Sequence, residues 1–230
     1  MQTLFAFVAL AFFTSLASCA ANGDGAEDPP GAGEWRALFD GTDPSQHWRG
    51  FRKDEFPAGW VAEDGCLVMR GGGGDIVSRE EFDDFELSLE WRVTEAGNSG
   101  VFFRVDEEHD YVWQTGPEMQ VLDDERHVDG KEPKTSAGSN YALHAPSVAA
   151  VRPAGEWNVA RLVVEGDRVE HWLNGERIVD YRLWSDEWEA LVQASKFAGM
   201  PDYGRNLRGH IALQDHGDLV WFRNLKVRRL

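Results

Sequence analysis

Asp83-Asp84-Phe85-Glu86-Leu87-Ser88-Leu89-Glu90-Trp91-Arg92-Val93 is the stretch that decides the fold class. Phe85, Leu87, Leu89, Trp91 and Val93 recur at every second position, with Glu86, Ser88, Glu90 and Arg92 between them. A period of two places the apolar set on one side of an extended chain, so this is a strand with one face in a core. Short alternating runs broken by glycine turns continue from Trp35 onward and predict further strands at Ser99–Val105, Pro117–Leu122, Trp157–Glu165, Arg168–Leu173, Glu176–Tyr181, Gly209–Gln214 and Leu219–Arg228. Asn174-Gly175 between two such runs is a strong hairpin signal. Gly65, Gly166 and Gly71 to Gly74 mark other turns. One segment departs from the pattern: Ser185 to Phe197 has Trp188, Leu191 and Val192 at helical spacing behind Ser185 and Asp186, which predicts a single short helix. The expected architecture is all-β, a β-sandwich. Ten Trp and 13 Phe against four Met suit flat packing between sheets.

The 230 residues, 42% hydrophobic, suffice for one well-buried domain. A formal net charge of −17 argues against a nucleic-acid partner, which would need a basic stripe. Residues 1–18 hold no charged side chain, and Leu4 to Leu16 is an apolar run of signal-peptide length. It ends in Leu16-Ala17-Ser18-Cys19, which resembles a bacterial lipobox, although Met1-Gln2-Thr3 lacks the usual Lys or Arg. The expectation is lipidation of Cys19, a membrane partner through that anchor, a flexible tether over residues 19–33 and a folded domain over 34–230. That places the domain in the cell envelope, periplasmic or at the outer membrane. A plain cleaved secretion signal is the alternative. Cys66, the other cysteine, reads as a small hydrophobe in a strand.

Polar residues in strand-like stretches point to function, because a polar sheet face is costly to bury and usually meets water or a ligand. In Glu118-Met119-Gln120-Val121-Leu122-Asp123, alternation puts Glu118, Gln120 and Leu122 on one face and Met119, Val121 and Asp123 on the other. Carboxylates and an amide near one strand end suit proton transfer and hydroxyl recognition; a solvated edge paired with Arg104 is the plain alternative. Gly97-Asn98-Ser99-Gly100 opens a run that ends in Arg104, on the face of Phe102. Lys196 follows the apolar face of the helix and either serves the helix dipole or a site. His216 lies in a turn between Asp215 and Gly217, beside a carboxylate able to orient it. Tyr141 either stacks on a sugar ring or covers the core edge. Residues 123–137 and 144–155 read as long loops of the sort that border sites. No cofactor is predicted. A divalent cation held by acidic oxygens with His127 stays open, while no HxxH-type spacing or cysteine cluster supports zinc.

Together these segments resemble the 3-keto-disaccharide hydrolase family. The resemblance runs from Trp35-Arg36-Ala37-Leu38-Phe39-Asp40-Gly41 to the end, through Gly97-Asn98-Ser99-Gly100 to Arg104, Glu118 to Asp123, Ser195-Lys196-Phe197, Gly209 to Gly217 and Phe222-Arg223-Asn224. Asn140 and Leu225 depart from the residues more usual at those places. The resemblance implies a concanavalin A-like jelly-roll sandwich and action on glycosides already oxidised at C3. A ketone at C3 acidifies the C2 proton, so a base removes it and the C1 aglycone leaves; water then adds back in a hydrolase, whereas a lyase stops at elimination. In that scheme Glu118 and His216 are the acid and base, in either order, and Lys196 or Arg104 stabilises the enolate. Asn98, Gln120, Asp123, Gln214 and Arg223 hold sugar hydroxyls, and Tyr141 or Trp113 stacks on the ring. The partner is thus an oxidised glycoside. The rival reading is a lectin-like carbohydrate-binding module, since fold does not settle function.

Overall fold

The Phe85–Val93 alternation becomes a nine-residue strand whose five apolar side chains are at most 2% exposed. Burying each from an exposed state contributes roughly 1.5–3 kcal/mol. The structure, a computed structural model, describes residues 33–230; the expected signal peptide over 1–18, Cys19 and all of the expected tether but Gly33 lie outside the described residues. In chain order its strands are β1 Arg36–Ala37, β2 Trp48–Gly50, β3 Trp60–Glu63, β4 Cys66–Met69, β5 Ile76–Phe82, β6 Phe85–Val93, β7 Asn98–Val105, β8 Glu118–Leu122, β9 Asn158–Glu165, β10 Arg168–Leu173, β11 Glu176–Arg182, β12 Gly209–Leu213 and β13 Val220–Arg229. They form an eight-stranded sheet ordered β11-β10-β9-β6-β13-β4-β3, with β1 on β13, and a five-stranded sheet ordered β2-β5-β12-β7-β8. The inner faces of the two sheets enclose one large apolar cluster, and Cys66, on β4, is buried.

Asn174 and Gly175 turn β10 into β11 with φ of 51° and 89°, the left-handed pair that this turn requires. The helix, α1 at Asp186–Gln193, is shorter than the periodicity predicts. Ser185 caps it, its Oγ accepting from the Trp188 N–H at 3.2 Å. At the other end Ser195 Oγ donates to Val192 O at 2.8 Å and accepts from the Phe197 N–H at 3.1 Å, which replaces helical bonding by a local turn. Lys196 therefore sits past the helix, in a segment fixed by Phe197. That ring stacks on Tyr203 at 3.8 Å, which stacks in turn on Trp188 at 5.9 Å.

A second departure decides a candidate residue. β7 pairs with β12 as Ala212↔Phe102 and His210↔Val105, so that Phe103 and Arg104 together oppose Ile211 and β7 carries a bulge. Arg104 lies in it with φ 51°. Beyond the bulge the alternation changes phase, and Val105 joins Phe102 on the outer face where simple alternation predicts Arg104.

Candidate functional site

The outer face of the five-stranded sheet follows from period-two reading of β7 and β8. Val101, Phe103, Met119 and Val121 point into the core, so Asn98, Gly100, Phe102, Glu118 and Gln120 point out. Gly100 pairs with Gln120, and its carbonyl accepts from the Gln214 N–H at 3.0 Å, which sets Gln214 on the other flank. The segment 138–141 runs along the open edge of β8. Gly138 N–H donates to Gln120 O at 2.8 Å, Gln120 N–H to Ser139 O at 3.1 Å and Tyr141 N–H to Glu118 O at 3.1 Å. Tyr141 is thereby held beside Glu118. The result is a hollow of about 350 Å³ lined by Asn98, Trp113, Glu118, Gln120, Asp129, Tyr141, Lys196, Met200, Gln214 and His216.

Glu118 is strongly altered by its surroundings. It is 6% exposed, and burial pushes its pKa up to about 8 against the opposing pull of Lys196. A carboxyl in that state carries its proton at neutral pH. Its room is made by Gly100, because a Cβ there would lie 2.2 Å from Glu118 Oε1. Gly100→Ala should displace the carboxyl and also press on the buried Phe102 ring, whose Cε2 would lie 2.9 Å from the new Cβ. The expected outcome is about a tenfold loss of kcat or more together with a lowered thermal midpoint, read by steady-state kinetics and calorimetry.

Lys196 places its ammonium 4.1 Å from the centre of the Tyr141 ring. Desolvation lowers its pKa, while Glu118 and Asp129 counteract that drop. The Tyr141 hydroxyl donates to Asp129 Oδ2 at 3.2 Å, and burial pushes the phenol's pKa up. Asn98 is 3% exposed; its amide nitrogen lies 3.4 Å from His127 Nε2, and its buried Oδ1 has no protein partner, so it is free to accept from a ligand hydroxyl. The Gln120 amide is engaged by the protein, donating to Thr135 O at 3.3 Å and accepting from the Val121 N–H at 3.1 Å. His216 is exposed and lies 3.7 Å from Asp218 Oδ2, with its ring edge-on to His127. Asp215, the neighbour expected to orient it, instead accepts from the N–H groups of Gly73, Gly74 and Gly217.

Seven sequence-predicted residues thus converge: Asn98, Glu118, Gln120, Tyr141, Lys196, Gln214 and His216, together with Trp113. Three do not. Arg104, turned by the bulge, donates to Asp83 O at 3.2 and 3.1 Å and to Asp84 at 3.2 Å, with its guanidinium over Trp184, so it cannot stabilise an enolate in the hollow. Arg223 lies on β13 in the other sheet; because Phe222 points into the core, Arg223 points away from it, bonded to Glu90 and stacked on Trp157 at 3.9 Å. Asp123 accepts from the N–H groups of Ala96 at 2.7 Å and Glu125 at 3.2 Å, which fixes the turn before β7 and takes it out of sugar binding.

Two carboxylates escape the sequence reading. Asp129 sits in a short 3-10 turn at Val128–Lys131, inside the predicted loop. Asp75 follows the run of glycines and accepts from the Asp215 N–H at 2.9 Å; burial raises its pKa to about 6, and it acts electrostatically on both His216 and Glu118. The glycine run read only as a turn, and the shared signal was a carboxylate flanked by turn residues. Among the described residues no three His, Cys, Asp or Glu side chains cluster closely enough to hold a metal ion.

Residues 34–228 match the model of the 3-keto-alpha-glucoside-1,2-lyase-like domain. A 3-keto-disaccharide hydrolase of Bacteroides thetaiotaomicron is 35% identical, over 97% of this chain and 87% of its own length. A crystal structure of a Parabacteroides distasonis protein assigned as a glycosyl hydrolase superposes with a TM-score of 0.80 at 34% identity, covering 85% of this chain and 94% of that one. A Bacillus subtilis protein with a galectin-like fold, 13% identical, reaches a TM-score of 0.53 over 85% of this chain and 98% of its own. That last likeness concerns the fold alone: the two sheets form a concanavalin A-like jelly roll.

Proposed function

The chain belongs to the 3-keto-alpha-glucoside-1,2-lyase-like domain family, and on that premise we propose that it hydrolyses glycosides already oxidised at C3, by elimination and rehydration. The observation that carries the reading is the convergence of the buried Glu118 carboxyl, the Lys196 ammonium and the His216 imidazole on one hollow. His216 takes the proton from C2, the bond electrons form the enolate on the C3 oxygen, and Lys196 balances that charge. The enolate then collapses to a C1=C2 double bond as the C1–O bond breaks, and Glu118 gives its proton to the departing oxygen. Water adds to C1 and a proton returns to C2, which restores the 3-keto sugar. Asn98 and Gln214 meet ring hydroxyls, and Tyr141 flanks the ring; Gln120 holds the Thr135 loop in place. An envelope location rests on the Leu4–Leu16 run and Cys19.

The test is release of aglycone by the purified full chain from a 3-keto-glucoside and from the unoxidised parent, each with and without chelator. Turnover of the oxidised substrate alone is expected. Turnover of neither, with tight binding of a plain glycan, overturns the proposal in favour of a binding module. A pH profile adds a sign: kcat/KM should fall as pH rises through about 8, where Glu118 loses the proton that it must donate.

A further inference from the structure

The outer sheet face is divided at Glu118. One register step from the Gly100 row, Phe102 pairs with Glu118 and Ala212, and Ala212 pairs with Val77. These apolar residues join Val105 and Val112 in a cluster separate from the main core, with Trp113 packed against it. Trp113 also lines the hollow, and Tyr111 stacks on it at 5.0 Å with 11° between the ring planes. Tyr111 is 54% exposed and extends the aromatic surface outward from the rim. On the side away from Phe102 the face is polar: Gln214 is level with Gly100 and Gln120, Asn98 lies one row further along β7, and His216 is close to Asn98 through Asp218 and His127. About 350 Å³ is at the small end of ligand pockets, roughly 300–1,000 Å³, so the hollow takes one sugar ring and leaves the rest of a glycoside outside.

We propose that the Tyr111–Trp113 pair is the subsite for the leaving group, and that it takes a second sugar ring lying against the aromatic surface. The inference rests on the function proposed above and deepens it. The keto sugar needs the hydroxyl-binding side, where amides offer donors and acceptors. The proton donor must face the bond that breaks, and Glu118 stands at the border between the polar row and the aromatic side. What leaves must then extend over Trp113 and Tyr111. A stacked pair with an exposed outer ring gives a sugar's C–H face a flat partner at little entropic cost, since both rings are already held.

The experiment compares Tyr111→Ala and Tyr111→Phe with the wild type on a 3-keto-disaccharide and on the methyl 3-keto-glucoside, whose leaving group is too small to reach the shelf. Tyr111→Ala should lower kcat/KM about tenfold on the disaccharide and change it less than about twofold on the methyl glycoside, while Tyr111→Phe keeps wild-type values on both. An equal loss on both substrates overturns the proposal, because Tyr111 would then merely support Trp113. No loss on either also overturns it. Wild-type inactivity on both oxidised substrates is a separate result: it removes the hydrolase reading itself and the subsite with it.

Discussion

Glu118→Gln is expected to lower kcat on a 3-keto-glycoside by about 10²–10⁴-fold, the usual contribution of a positioned proton donor. Glutamine keeps the shape over Gly100 and the buried setting but has no acidic proton to give. Two further readouts separate a lost acid from a damaged fold. A substrate with a nitrophenyl leaving group needs little protonation, so the variant should recover most of its rate there. Stability against pH gives the second. The folded pKa of Glu118, about 8, lies above the carboxyl's ordinary 4.5, so in that window the folded state holds a proton that the unfolded chain releases. Stability therefore falls as pH rises from about 4.5 to about 8, and Glu118→Gln should remove that fall. Denaturant titrations across the range read it directly; full activity of the variant on alkyl glycosides removes Glu118 from the mechanism.

Lys196→Met should cost about 10²–10³ in kcat with a smaller effect on KM, as expected for a charge aimed at an oxyanion that exists only along the reaction path. Methionine keeps much of the apolar stem that lies over the Tyr141 ring, while the ammonium that partners Glu118 and Asp129 is gone. Removing the ammonium also removes an influence that lowers the Glu118 pKa. The alkaline limb of the kcat/KM profile should then move to higher pH. A KM increase at constant kcat would mean that Lys196 only binds the ground state.

The sheet face was legible in sequence wherever backbone alternation is regular. Glu118, Gln120 and Asn98 share it because β7 and β8 keep period two over those residues. Arg104 was misread because a bulge inserts one residue and reverses the phase, and nothing in Phe102-Phe103-Arg104-Val105 announces it. Arg223 fails for another reason. Alternation assigns a side chain to inside or outside, and two sheets have two outsides. Asp123 was placed on the opposite side from Glu118 by the same alternation, but its capture by the turn N–H groups is a loop property. Asp75 and Asp129 come from irregular segments, where pattern carries no direction. The strand Phe85–Val93 and the Asn174-Gly175 hairpin were the clearest, since each depends only on local geometry.

The bonds from segment 138–141 to β8 have a consequence beyond placing Tyr141. An outermost strand with unoccupied amides and carbonyls invites pairing with a neighbouring molecule. Here the stretch that builds a wall of the hollow also seals the sheet's border, so trimming it would cost solubility along with turnover. Variation in what the protein accepts is more easily tolerated around Tyr111, where the chain guards no such margin.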